Sequence, residues 1–176
     1  VHIGWAERAH ARILALDVAP VRAVPGVSAV LTGHDVPGAN EISTTHVGDE
    51  PLLATERVLY WGQPLFVVAA EDVRTARRAA KLVKVAYEDL DPVLDVDTAR
   101  ARGARVLPPF KMARGDVAAG LATAPARLTG RIAIGGQDHF YLEGQIAMAI
   151  PGEGGDMLVL SSTQHPSVVQ HMVARV

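Results

Sequence analysis

The sequence predicts a mixed α/β fold, of the α+β kind, with one domain followed by the beginning of a second. A continuously apolar run, Leu65 to Ala70, leads into an amphipathic helix and then into an alternating apolar segment. Shorter strand-like segments lie on both sides of this unit. The proline pair Pro108 and Pro109 then interrupts the pattern, which predicts a boundary between residues 1–107 and 108–176.

The first sixty residues predict two strands and one helical turn. Arg12 to Asp17 and Val27 to Leu31 are strand-like, and Pro20 to Val24 fits a single turn between them. From Pro37 to about Glu56 the sequence is polar and has no clear period. Because a run of that length without regular structure is uncommon inside a domain, we expect an irregular segment, often a functional or mobile one.

The central unit predicts a strand, a helix and a second strand. Pro64 is tolerated where a strand begins, and the apolar run after it is typical of an inner strand covered on both faces. Asp72 is placed to cap the helix that follows. The helix face expected to be buried comprises Val73, Ala76, Ala80 and Val83. The alternation from Val83 to Tyr87 completes a βαβ unit, which predicts parallel strands joined by a right-handed crossover.

The remaining residues predict short elements. Asp97 to Arg102 fits a short helix, and Asp116 is placed to cap another. The final helix is expected from about Pro166, after a cap at Ser162 or Thr163. Strands are predicted over residues 126–134, 145–150 and 157–161, with a turn over residues 151–155.

Composition excludes several classes of protein. Apolar residues make up 49% of the chain and aromatic residues 5%, so the core must consist mainly of Ala, Val and Leu. A net charge of −2 gives no reason to expect nucleic acid or an anionic membrane as a partner. The chain has no cysteine, which excludes a disulfide framework, a thiolate-held iron–sulfur cluster and a cysteine zinc site within it. No apolar run is long enough to span a membrane, and we expect a cytoplasmic protein.

The segment GGQDHFYLEG, Gly135 to Gly144, is the strongest candidate site. A glycine pair leaves the backbone bare, and the amide of Gln137 can both donate and accept hydrogen bonds. Such groups suit the binding of a cofactor oxygen. A glutamine after glycines can also simply tie down a turn, and Asp138, His139 and Glu143 are expected to act mainly as scaffold. If Gln137 serves a ligand, we expect it on an open face with its amide not fully bonded to protein.

This segment resembles the GGQ-(D/E)-HFYLE segment of the xanthine dehydrogenase family. Residues 61–99 resemble that family's hammerhead domain, through G-Q-P, V-V-A and D-P-V-x-D in order. Three further stretches agree: AHARI at 9–13, RGDVA at 114–118 and STQHPSVVQH at 162–171. Gly144 stands where animal members usually have Thr, so the chain is similar to the bacterial branch.

The resemblance implies a hammerhead domain over 1–107, truncated at its N-terminal end, and the start of a molybdopterin-binding domain over 108–176. It implies a molybdenum–molybdopterin cofactor. Gln137 would donate its amide N–H to the metal's oxo ligand without ligating the metal, and Gly136 would let the backbone approach. The full-length protein would oxidise hypoxanthine and xanthine to urate in purine catabolism. Electrons would pass through 2Fe–2S centres and FAD, on a partner subunit or another region, to NAD.

No catalytic residue is expected within these residues, because the family's base glutamate and substrate-binding residues have no counterpart here. We therefore expect the 176 residues alone to be inactive, and the full-length protein to be a homo- or hetero-oligomer. Two alternatives remain open. One is a related hydroxylase of the aldehyde oxidase type, and the other is a non-catalytic domain for subunit packing or assembly.

Overall fold

The computed structural model describes residues 1–44 and 48–176, which form two compact units. The first unit comprises residues 1–92 and 163–176, and the second comprises residues 93–162. The strands are β1 (His2–Trp5), β2 (Ala11–Asp17), β3 (Val27–Thr32), β4 (Arg57–Val58), β5 (Pro64–Ala70), β6 (Lys84–Asp89), β7 (Ala147–Pro151) and β8 (Met157–Ser161). The α-helices are α1 (Ala19–Arg22), α2 (Val73–Ala80), α3 (Val96–Arg102), α4 (Val117–Thr123) and α5 (Pro166–Arg175).

The first unit contains two three-stranded sheets, with strand orders β1-β5-β3 and β4-β2-β6. All of their strand pairs are antiparallel. Strand β5 lies between β1 and β3, and its Leu65, Phe66 and Val68 are buried. The prediction of a buried inner strand is confirmed, as is the mixed α/β class. The sheets meet in a core of small and aliphatic side chains around Phe66.

The predicted parallel βαβ unit is wrong. Strands β5 and β6 do lie on either side of α2 in the chain, but they belong to different sheets. Both edges of β5 are occupied, by β1 and β3, so a following strand has no edge of β5 to pair with. Strand β6 pairs instead with β2, from Ala11↔Asp89 to Asp17↔Lys84. Strands β1 and β4 were not predicted.

The buried face of α2 differs in part from the predicted one. Ala76 and Ala80 are buried as expected, but Thr75 and Ala79 share that face and Val73 is 49% exposed. The helix ends at Ala80, so Val83 packs against the core from the connection to β6 and not from the helix. Asp72 caps α2 as predicted, since its carboxylate accepts a 2.9 Å hydrogen bond from the Thr75 N–H.

The polar segment from 37 to 56 has no regular secondary structure in its described residues, 37–44 and 48–56. Thr45, His46 and Val47, which fall within that prediction, lie outside the described residues. The segment is not simply solvated, because Leu53 and Ala54 are buried. The Asn40 side chain holds the Leu53 backbone at both ends, donating to its carbonyl at 2.7 Å and accepting from its N–H at 3.0 Å.

Helix α5 packs within the first unit. The carbonyls of Arg175 and Val176 accept hydrogen bonds from the N–H groups of Ala39 and Gly38, at 2.8 and 2.6 Å. The Arg175 guanidinium also forms a 2.7 Å ion pair with Glu41. The N-cap is His165, not Ser162 or Thr163, although the Thr163 hydroxyl accepts from the His165 N–H.

The second unit contains α3, α4 and the antiparallel hairpin β7–β8. Asp116 caps α4 as predicted, and Gly103 ends α3 in a left-handed conformation. Residues 126–134 are irregular and exposed, so the strand predicted there is wrong. Its alternating pattern has no partner strand in the part of the chain that the structure describes, and an isolated strand cannot satisfy its backbone groups. None of the residues 93–162 is buried.

Candidate functional site

The segment from Gly135 to Gly144 is an exposed, irregular loop that precedes the hairpin of the second unit. Phe140 has a φ of 47°, in the left-handed region that few residues other than glycine adopt. The Asp138 carboxylate accepts a 3.2 Å hydrogen bond from the Phe140 N–H, which closes a local turn. Phe140 is 90% exposed, so no buried contact within the chain stabilises this backbone conformation. Strain of this kind is concentrated at functional sites.

Ser162 anchors the C-terminal end of the loop. Its Oγ accepts from the Ile146 N–H at 2.9 Å and lies 3.3 Å from the carbonyl oxygen of Gly144. The Ser162 N–H also donates to the Ile146 carbonyl at 2.9 Å. The residue that follows β8 therefore fixes the loop to the hairpin. The sequence predicts Ser162 as a helix cap and as the first residue of the STQHPSVVQH stretch, and the separation of 16 to 18 residues hides its role as an anchor.

The glycine pair has no explanation in the chain's own packing. Neither Gly135 nor Gly136 adopts a left-handed φ, and a Cβ on either would meet no atom within 4 Å. Alanine would therefore fit both positions in the described structure. Neither the backbone conformation nor the packing requires glycine at these two positions. A backbone without a side chain there suits the close approach of a group from outside these residues.

Gln137 lies on this open face, as expected. Its side chain is exposed, and among the described residues none forms a hydrogen bond with its amide. Gln63, which also follows a glycine, provides a direct contrast. It is 2% exposed, and its Oε1 accepts from the Leu59 N–H at 2.7 Å. Gln63 ties down a turn, whereas Gln137 keeps both donor and acceptor available.

The other polar residues of the loop do not form a metal site. His139 and Glu143 are exposed, and Asp138 supports the local turn. In the described ranges, 1–44 and 48–176, no three His, Cys, Asp or Glu side chains are grouped so that they could hold a metal ion. The same ranges contain no helix with both the length and the apolar character needed to cross a membrane.

The donor set therefore suits a cofactor that brings its own metal ligands. An uncharged amide and bare peptide groups can bind oxygen and nitrogen atoms of a bulky organic group without competing for its metal. Nothing described in the chain blocks access to Gly135, Gly136 or Gln137. The residues present fit a molybdopterin-type group in this respect.

Two family models together match nearly the whole chain. A family model for the aldehyde oxidase and xanthine dehydrogenase a/b hammerhead domain matches residues 2–91. A molybdopterin cofactor-binding domain model matches residues 99–176. The chain belongs to the aldehyde oxidase and xanthine dehydrogenase family.

Curated relatives of two kinds match nearly the whole chain. Xanthine dehydrogenase/oxidase of Mus musculus is 37% identical over 169 residues, which cover 96% of this chain and 12% of the relative. Aldehyde oxidase 1 of Oryctolagus cuniculus is 39% identical over 171 residues, again 96% of this chain and 12% of the relative. The chain thus spans about an eighth of the length of these relatives.

Solved structures agree with the fold. The aldehyde oxidoreductase from Desulfovibrio gigas superposes with a TM-score of 0.84 at 27% identity, over 99% of this chain and 21% of that one. Quinoline 2-oxidoreductase from Pseudomonas putida 86 gives a TM-score of 0.81 at 29% identity, over 98% of this chain and 24% of that one.

Proposed function

We propose that this chain is part of a molybdenum hydroxylase and that the loop from Gly135 to Gly144 faces its molybdopterin cofactor. The observation that carries the proposal is the unbonded, exposed amide of Gln137 beside a glycine pair that the chain's own packing does not require. The loop lies within the residues that match the molybdopterin-binding model.

In this proposal Gln137 donates an amide N–H to an oxygen of the cofactor, and Gly136 leaves room for the cofactor beside the backbone. The bound cofactor supplies the hydroxylation and redox chemistry. The protein contributes a donor that is oriented before reaction, because Ser162 fixes one end of the loop and Asp138 shapes its middle. Asp138, His139 and Glu143 act as scaffold, and the catalytic base comes from residues outside 1–176.

For the substrate we propose xanthine and hypoxanthine, oxidised to urate, with electrons passing through 2Fe–2S centres and FAD to NAD. The residues HFYLE, 139–143, support this proposal, because they resemble the corresponding segment of the xanthine dehydrogenase family. A hydroxylase of the aldehyde oxidase type is the second candidate, because three aldehyde oxidases are 38–39% identical to the chain, slightly more than the 36–37% of the xanthine dehydrogenases.

For the full-length protein we further propose a cytoplasmic location, a partner domain or subunit carrying the iron–sulfur and FAD centres, and an oligomeric state. The boundary between residues 1–107 and 108–176 also stays a prediction. A purely structural domain for subunit packing is the alternative in which Gln137 has no ligand.

Turnover of the full-length protein with two substrates tests this function. Xanthine should support rapid dye reduction, and an aromatic aldehyde should support much slower reduction. Faster turnover of the aldehyde would favour the aldehyde oxidase type. Absence of turnover with either substrate, in protein that contains no molybdenum, would favour the packing domain.

A further inference from the structure

A groove of about 1030 Å³ runs along the first unit between strands β1 and β6. We call it the β1–β6 groove. Residues 2–8 line one side, and Val83, Val85 and Tyr87 line the other. Ala80 and the basic residues Arg77 and Lys81, at the end of α2, also line it. The groove is distinct from the loop that carries Gln137, which belongs to the second unit.

Both flanking strands present an open sheet edge. In the described residues β1 pairs only with β5, and β6 pairs only with β2. Edge strands are usually protected from pairing by lysine, proline or other charged residues. Strand β6 carries Lys84, Glu88 and Asp89, but β1 reads His-Ile-Gly-Trp and contains no lysine, acidic residue or proline. Strand β1 is therefore the edge available to a further strand.

The groove wall is positively charged. Arg77 and Lys81 are exposed and lie four residues apart, one turn of helix, so both can reach the same ligand. Arg8 is held in place by a 3.0 Å ion pair with Asp89, and its guanidinium lies 5.2 Å from the centre of the Tyr87 ring. Glu7 is the sole acidic residue among those that line the groove.

Two large aromatic side chains also line the groove. Trp5 is 50% exposed and Trp61 is 68% exposed, and they are the two tryptophans of the chain. The register of β1 with β5 shifts between Gly4 and Trp5, at this point. Exposed tryptophans beside cationic side chains are typical of the anchoring positions of protein interfaces.

We propose that the β1–β6 groove binds an extended, acidic polypeptide segment, which pairs with the open edge of β1. Backbone hydrogen bonds to β1 would provide the pairing, as in other strand-addition complexes. Acidic side chains would face Arg77 and Lys81, and apolar side chains would contact Trp5 and Trp61. A small molecule fits less well, because the charged residues of the groove are exposed and do not converge on one enclosed point.

Tryptophan emission of the chain tests this proposal, because both reporters lie in the groove. The probe is a short peptide that alternates glutamate with valine. It should change the emission saturably, whereas a peptide alternating lysine with valine should not. The double substitution Arg77→Glu with Lys81→Glu should weaken binding about tenfold or more. The control is Arg74→Glu with Arg78→Glu, which makes the same charge change on α2 at residues that do not line the groove, and it should change affinity by less than about threefold.

A third peptide separates strand pairing from simple charge attraction. N-methylation of alternate amides of the acidic peptide removes its donors on one edge, and it should abolish binding. Equal binding of the methylated peptide would overturn the strand-addition proposal. Equal weakening of binding by the two double substitutions would also overturn it. Binding of a single-stranded oligonucleotide as tightly as the acidic peptide would overturn it too. Absence of any emission change with the acidic peptide would overturn it as well.

Discussion

The amide of Gln137 is the single group on which the proposed cofactor role depends most. We expect Gln137→Ala in the full-length protein to lower turnover by about 10- to 1000-fold with molybdenum still bound, since one preorganised donor is typically worth such a factor. Stability should not change, because the side chain is exposed. Steady-state kinetics at measured molybdenum occupancy checks this. Gln145→Ala, an exposed glutamine nearby in sequence, is the control, and an equal effect of both changes would refute the assignment.

Gly4 differs from Gly136 because its position has no room for a side chain. A Cβ on Gly4 would overlap the ring of Phe66, which is 1% exposed. We expect Gly4→Ala to lower the free energy of unfolding by about 1–3 kcal/mol, the usual cost of overpacking a core. Urea denaturation measures it. Gly120→Ala, in α4 with no atom within 4 Å of the new methyl group, should cause no loss. If Gly4→Ala has the same free energy of unfolding as the parent chain, this prediction is wrong, and the Phe66 ring can move aside to admit the methyl group.

At the scale of elements, the packing of α2 can be tested by placing a charge on each face. Ala80 is 7% exposed, so Ala80→Asp buries an unpaired carboxylate and should cost roughly 3 kcal/mol or more. Val73→Asp is the matched control, and it should change the free energy of unfolding by less than about 0.5 kcal/mol because Val73 is half exposed. Equal losses in the two variants would show that the buried face is assigned incorrectly.

The helix caps predict a response to acid. The Thr75 backbone N–H, followed by the Thr75 hydroxyl, holds the pKa of Asp72 below its ordinary value of 3.8, and Thr98 lowers the pKa of Asp95 in the same way. A carboxyl whose pKa is lower in the folded state stabilises the fold above the unfolded pKa. That stabilisation is lost as the pH falls below about 3.8 and through the folded pKa.

Asp72→Asn should therefore keep the cap at neutral pH but remove part of the acid dependence, because asparagine caps as well as aspartate and does not titrate. Unfolding by urea across the acid range measures this. Glu71→Gln, an exposed neighbour outside the cap, is the control. If the free energy of unfolding of Asp72→Asn falls with acid as much as that of the parent chain, the role given to Thr75 is wrong.

Local signals in the sequence predicted helix caps and individual strands, but they did not predict which strands pair with each other. The caps at Asp72 and Asp116 and the strand after Pro64 could be predicted because each depends on adjacent residues. The pairing of β6 with β2 could not, since it depends on both edges of β5 being occupied by distant segments. For the same reason, the alternation in residues 126–134 suggested a strand where the described structure offers no partner.

In the candidate site, too, only the features that depend on adjacent residues could be predicted. Gln137 and the glycine pair could be singled out from a motif of ten residues. The left-handed backbone of Phe140 and the anchoring of the loop by Ser162 could not, because they depend on a local conformation and on contacts 16 and 18 residues away.

At the scale of the whole molecule, burial is distributed unevenly. The first unit has a core around Phe66, whereas residues 93–162 bury none of their side chains. Leu128, Phe140 and Leu142 are all at least 90% exposed. The loop from Gly135 to Gly144 thus lies on a surface rich in uncovered apolar groups, which suits the proposed site, whose walls would come from several segments.

We predict that these residues belong to a protein that binds molybdenum through a molybdopterin group. The most direct test is the metal content of the purified full-length protein, measured by mass spectrometry with the pterin quantified after oxidation. We predict about one molybdenum atom and one pterin per chain, because residues 99–176 match a molybdopterin-binding family model and the bound cofactor would supply the redox chemistry. Fully folded protein that contains neither, from cells able to make the cofactor, would contradict the claim.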